Sequence, residues 1–114
     1  MRFLTLSQSR DMTHYSASGA LIALLVLSGN AAGADGEALY AEKLCASCHG
    51  PTGNEPILST YPKIAGQNKE YLIRQMNDIK SGDRDNGAST AMRGLVANLG
   101  DDEIVAIAEY LSSL

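Results

Sequence analysis

Tryptophan is absent from the 114 residues, phenylalanine occurs once, and cysteine and histidine occur only twice each. A positive excess is missing as well. Nine basic side chains face thirteen acidic ones, a net charge of −4, which argues against a nucleic-acid binder with its basic face. The length suits a single domain and leaves no room for a catalytic barrel or a two-domain enzyme. The apolar run Ala20–Leu27 falls well short of the about 20 residues that span a bilayer core. No stretch alternates apolar and polar residues between turn signals as a strand does, and no internal repeat or low-complexity segment occurs. Helices remain, so the expected fold class is all-α.

The first third reads as a targeting segment. Arg2 and Arg10 precede the run Ala20–Leu27, and the small residues Ala31-Ala32-Gly33-Ala34 follow it. A positive start, a short apolar core and an A-x-A-like site describe a secretory signal peptide. Residues 1–34 are therefore expected to be removed, leaving residues 35–114 as one domain with no stable membrane span. Arg2, Arg10 and Asp11 go with the segment, so the remaining 80 residues carry seven basic and twelve acidic side chains, a net charge of −5. One histidine (His49), two cysteines (Cys45, Cys48) and two methionines (Met76, Met92) are left. A domain this small has a thin core and usually needs a disulfide, a metal or a large prosthetic group.

Apolar spacing predicts short helices joined by loops. The first is expected from Gly36 to Cys48, with Leu39, Tyr40 and Leu44 on its apolar side and Glu37 at the favourable end of its dipole. From Gly50 to Gly66 the chain holds all three prolines, marking a long loop of the kind that is usually functional or wrapped around something. Asn68 can cap a second helix reaching Lys80, with Gly82 as its stop and Leu72, Ile73, Met76 and Ile79 facing inward. A Gly-, Asp- and Asn-rich loop follows. A short helical stretch is then expected over Met92–Leu99, with Leu95, Val96 and Leu99 inward. The last helix opens with Asp101, Asp102 and Glu103 and carries the stripe Ile104, Ile107, Ala108, Leu111.

The informative motif is Cys45-Ala46-Ser47-Cys48-His49. C-x-x-C-H is the attachment site for c-type haem. Three positions separate the thiols, about one helical turn, so both sulfurs can reach two vinyl groups of one porphyrin while the next imidazole ligates the iron. Three other readings fit less well. A structural disulfide would not require His49, and a thioredoxin-like pair expects a βαβ context. A zinc site needs four ligands, and residues 35–114 hold no further Cys or His. For the sixth iron position a second histidine is lacking, and methionine sulfur is the usual partner in electron-transfer cytochromes. Met76 lies on a helix stripe, where methionine commonly fills core. Met92 follows a loop that can bring it over the far haem face. An open position, or a Lys or Tyr ligand, are the other possibilities.

From Gly36 to Leu114 the chain resembles a class I c-type cytochrome, the small bacterial monohaem kind, and is particularly similar to single halves of the tandem dihaem proteins. The matching residues are Gly36-x-x-x-Tyr40, Cys45-x-x-Cys48-His49-Gly50, Pro62-Lys63-Ile64-Ala65-Gly66-Gln67 and Tyr71-Leu72-Ile73-Arg74-Gln75. Met92, Leu99 to Ile104, and Ala108 to Leu111 continue the match. The resemblance implies a bundle of about four short helices around one covalent haem c. It implies thioethers at Cys45 and Cys48, His49 as proximal and Met92 as distal iron ligand, and Pro62 offering its carbonyl to the other ring nitrogen of His49. It also implies a crossing of the first and last helices where Gly36 and Tyr40 meet Ile107 and Tyr110. Gly100 stands where relatives commonly carry a capping serine, so Asp101 is expected to take over that cap.

With both axial positions filled, the implied function is one-electron transfer, the iron cycling between ferric and ferrous states, rather than catalysis. The expected location is the periplasm. The expected partners are redox donors and acceptors with a basic docking patch, and no nucleic acid. Two alternatives are a cytochrome subunit of a larger oxidoreductase and a ligand-binding haem protein with an open sixth position.

Overall fold

The computed structural model describes residues 33–114. The expected signal peptide therefore lies outside the described residues except for Gly33 and Ala34. Among the described residues the chain is all-helical, with five helices: α1 (Gly36–Glu42), α2 (Ala46–His49), α3 (Lys69–Ser81), α4 (Ser89–Val96) and α5 (Asp101–Ser112). None is long and apolar enough to cross a membrane.

The expected first helix is in fact two. Asp35 caps α1 by accepting the amides of Glu37 and Ala38 on Oδ1 at 3.1 and 3.2 Å, and the helix then stops at Glu42. Leu44 is the cause, since it adopts a left-handed conformation with φ 63°. Its amide returns to the Ala41 carbonyl, and that of Cys45 returns to Tyr40, both at 3.1 Å. That paired return is a Schellman stop, which usually uses glycine. Here leucine holds it, at a conformational cost of about 1–2 kcal/mol. The benefit is directional, because the chain turns and starts α2 with both cysteines on a new axis.

The helix α3 follows its sequence pattern. Asn68 accepts the Tyr71 amide on Oδ1 at 2.9 Å, and Gly82 stops the helix at φ 94° with its amide on the Asp78 carbonyl. Leu72, Met76 and Ile79 are buried and Ile73 half-buried. By contrast, α4 begins three residues before Met92. Of its expected inward residues Val96 and Leu99 are buried, Leu99 from a position beyond the helix, while Leu95 is exposed but lines the same cavity as His49.

In α5 all four stripe residues, Ile104, Ile107, Ala108 and Leu111, are buried. Its cap differs from expectation. Gly100, not Asp101, is the N-cap, and Asp101 is the first helical residue. Glu103 reaches back and accepts the Gly100 amide on Oε2 at 2.9 Å, so the N-cap amide is satisfied without a capping side chain. The other Glu103 oxygen lies 3.0 Å from Lys43 Nζ. These partners hold the Glu103 carboxyl below its ordinary value, the Gly100 amide first and Lys43 second.

Packing joins α1 to α5, α3 to α5 and α3 to α4. Gly36 lies directly on the Ala106 carbonyl and the Tyr110 Cβ, so α1 and α5 cross backbone to backbone. Beside that point the Tyr40 and Tyr110 rings lie 5.8 Å apart at 53°. The long loop after α2 is pinned to this frame. The Gly53 carbonyl accepts the amides of Ile64 (2.8 Å) and Ala65 (3.1 Å), and the Gly66 amide reaches the Leu111 carbonyl at 2.8 Å.

Candidate functional site

The turn at Leu44 and the pinned loop together wall a cavity of about 400 Å³. Cys45, Cys48, His49, Pro62 and Met92 all line it. The two thiols are free and half-buried, at either end of the first turn of α2. Burial pushes the Cys45 thiol above its ordinary value.

His49 is buried, only 8% exposed. Its Nδ1 lies 2.9 Å from the Pro62 carbonyl oxygen. A carbonyl only accepts, so that contact assigns the ring proton to Nδ1 and leaves Nε2 with a free lone pair for a metal. The Tyr61 ring stands 6.5 Å from the imidazole, a neighbour the sequence did not single out. The loop between α2 and α3 is thus the element that orients the histidine.

Both methionines reach the cavity wall. Met76 sits in the core with Leu72 and Ile79 and is 6% exposed, whereas Met92 is only half-buried against that core. Apolar side chains supply much of the remaining lining, among them Leu72, Val96, Leu99, Ile107 and Leu111. Among the described residues, the charged ones on the wall are Lys43, Lys63 and Arg84, with no carboxylate beside them. Arg84 is held there by a 2.7 Å bond from Nη1 to Gln75 Oε1. In a chain rich in Asp and Glu that bias was invisible to sequence reasoning, because it arises only when distant segments meet.

Tyr40 closes the wall on the α1 side. It is 1% exposed and donates its hydroxyl to the Gly50 carbonyl at 2.7 Å, tying α1 to the residue after His49. Burial, with smaller contributions from Cys45 and Tyr110, pushes its pKa from 10.0 to about 12. A raised value means the neutral phenol is favoured in the fold. This contribution is therefore complete below pH 10 and is lost as pH rises towards 12. Tyr40→Phe should lower the unfolding free energy by about 1 kcal/mol at pH 7. The variant should also lose less stability than the wild type between pH 10 and 12. Urea unfolding at a series of alkaline pH values measures both effects.

The donor set is coherent for one kind of group. Two thiols one helical turn apart, an imidazole with its second nitrogen occupied, and a thioether share one largely apolar cavity. The Cytochrome c family profile matches residues 33–114. The chain belongs to the cytochrome c family. Cytochrome c4 of Pseudomonas aeruginosa is 44% identical over 70 residues, covering 61% of this chain and 33% of that protein. The thiosulfate dehydrogenase electron acceptor of Stutzerimonas stutzeri is 36% identical, over 61% of this chain and 32% of its own length. Among solved structures, reduced recombinant cytochrome c4 from Pseudomonas stutzeri superposes with a TM-score of 0.61 at 33% identity. That likeness covers 69% of this chain and 46% of the other. The chain thus matches about a third of each of these curated relatives and less than half of the solved one. These likenesses put it among the class I c-type cytochromes, and membership implies covalent haem c with its iron.

Proposed function

We propose that residues 35–114 form a periplasmic one-electron carrier holding one haem c, with residues 1–34 acting as a cleaved signal peptide. The observation that carries this reading is the single cavity shared by Cys45, Cys48, His49 and Met92, with the His49 ring fixed by the Pro62 carbonyl. When bound, haem c supplies an iron that accepts and returns one electron. Cys45 and Cys48 would hold the porphyrin through thioethers. His49 would ligate through Nε2, with Pro62 fixing the ring and raising its basicity. Met92 would take the distal side, raising the potential relative to two histidines. With the group bound, the apolar side chains of the wall would limit its contact with water, which favours the less charged reduced state and raises the potential further.

The surplus of carboxylates would favour a partner with a basic docking patch only where they, rather than the cations Lys43, Lys63 and Arg84 of the cavity wall, face it. Five of them, Asp35, Glu37, Asp101, Asp102 and Glu109, line a groove at the α1–α5 crossing, apart from the cavity and with no basic side chain among its described lining residues. Such contacts are small and short-lived. The name of the Stutzerimonas stutzeri relative, an electron acceptor for a dehydrogenase, supports a second version in which the chain serves a larger oxidoreductase.

The haem-loaded protein should show a reversible one-electron wave and, when oxidised, a methionine–iron charge-transfer band. Met92→Ala should abolish that band and lower the potential by on the order of 100 mV, within the wide range that ligation spans. Voltammetry and visible spectroscopy of both proteins decide the matter. Absence of the band in the wild type, or rapid carbon monoxide binding to the reduced form, would favour an open sixth position instead.

A further inference from the structure

The helix carrying Met92 is thinly held. An eight-residue helix has little stability of its own, and the buried residues of α4 are only Ser89 and Val96. Its N-terminus has no side-chain cap. Two charged hydrogen bonds supplement this packing, and they run in opposite directions. Arg93, next to Met92, donates Nε to the Ile79 carbonyl in the last turn of α3 at 3.2 Å. Lys80, on α3, donates Nζ to the Leu99 carbonyl just beyond α4. Both bonds are part-buried, where a charged donor is worth more than at the surface.

The surroundings fit this arrangement. The Ile79 carbonyl belongs to the last turn of α3, whose carbonyls lack helical partners and favour a cation. Gly82 leaves room for the guanidinium, since a Cβ there would lie 3.3 Å from Arg93 Nη2. The left-handed stop at Gly82 therefore also opens the seat for Arg93.

We propose that Lys80 and Arg93 form a reciprocal clamp between α3 and α4 whose role is to hold Met92 on the distal side of the cavity. They are positioning residues, acting on the ligand through the backbone of α4. Local opening of α4 withdraws the thioether without unfolding α1, α3 and α5. The clamp makes that opening rare. The inference rests on Met92 being the distal ligand.

The test uses the oxidised, haem-loaded protein titrated with imidazole, which competes for the distal position, followed at the methionine–iron band. Arg93→Ala and Lys80→Met should each lower the half-saturating imidazole concentration by a factor of about ten. The double variant should lower it further, and Arg93→Lys should recover part of the wild-type value. Ile104→Val thins the core beneath α5. It should lower the global urea midpoint and leave imidazole binding unchanged, which separates clamping from general stability. Should Arg93→Ala fail to accumulate folded, Lys80→Met and Arg93→Lys decide. Imidazole binding within twofold of wild type in Lys80→Met overturns the clamp. So does an equal increase in Ile104→Val. If the wild type lacks the band, or Met92→Ala binds imidazole no better than wild type, the ligand assignment fails and the clamp fails with it. A band that Met92→Ala removes and that the clamp variants lose only at the wild-type imidazole concentration sinks the clamp alone.

Discussion

Replacing both cysteines, Cys45→Ala with Cys48→Ala, should yield a chain that carries no covalent haem and does not hold its fold at 25 °C. The reason lies in the core. Among the described residues ten buried apolar side chains make it, and seven of them, Tyr40, Leu72, Met76, Val96, Leu99, Ile107 and Leu111, also line the cavity. The prosthetic group therefore completes the core. Left unfilled, about 400 Å³ at roughly 24 cal/mol per Å³ would cost on the order of 10 kcal/mol. That is an upper bound, because water can enter from the open side. The whole stability of about 80 residues is on the order of 4–12 kcal/mol, so the two figures are comparable. Haem staining of a denaturing gel should be negative for the double variant, and its far-ultraviolet helical signal should fall by more than half. Either single variant keeps one anchoring thiol and should retain some colour. A colourless double variant with wild-type helicity would show that the helices close without the group.

The same dependence explains which parts of the fold were legible in the sequence. Helices α3 and α5 bury a regular stripe against neighbouring helices, and Asn68 and Gly82 bound α3 in the expected places. There, local pattern and tertiary packing agree. Leu44 breaks the agreement. Nothing about a leucine announces a left-handed stop, and the residue is 57% exposed, so no burial pattern marks the turn after α1 either. Gly100 differs for a related reason, because its cap works through the side chain of Glu103.

The site divides along the same line. The motif Cys45–His49 is local, so its chemistry could be read directly. The cations on the wall and the ties from Lys80 and Arg93 come from segments that meet only in the fold. Lys80 lies 19 positions from its acceptor, and Arg93 lies 14 from its own. Neither carries a sequence signal that separates it from an ordinary surface charge.

Gly36→Val should be strongly destabilising although the position lies outside the cavity. The helix crossing of α1 and α5 leaves no space at Gly36. A Cβ there would overlap the Ala106 carbonyl and press on Tyr110 Cβ at 2.8 Å. Ala106 is in mid-helix and cannot retreat without breaking the α5 ladder, so α1 must lift. Lifting α1 separates the Tyr40–Tyr110 ring pair and strains the Tyr40 bond to the Gly50 carbonyl beside His49. Overpacking alone costs about 1–3 kcal/mol. Adding the buried hydrogen bond, at about 1 kcal/mol, brings the expected loss to roughly 2–4 kcal/mol. Gly94 supplies the contrast. It also lies in a helix, yet a Cβ there would meet nothing within 4 Å. Gly94→Ala should therefore gain up to about 1 kcal/mol from reduced backbone entropy in the unfolded chain. Urea unfolding of the haem-loaded proteins reads both, with midpoints moving in opposite directions. A Gly36→Val midpoint within error of wild type would mean that α1 is free to slide along α5. In that case Tyr40 could not be what ties α1 to the haem motif.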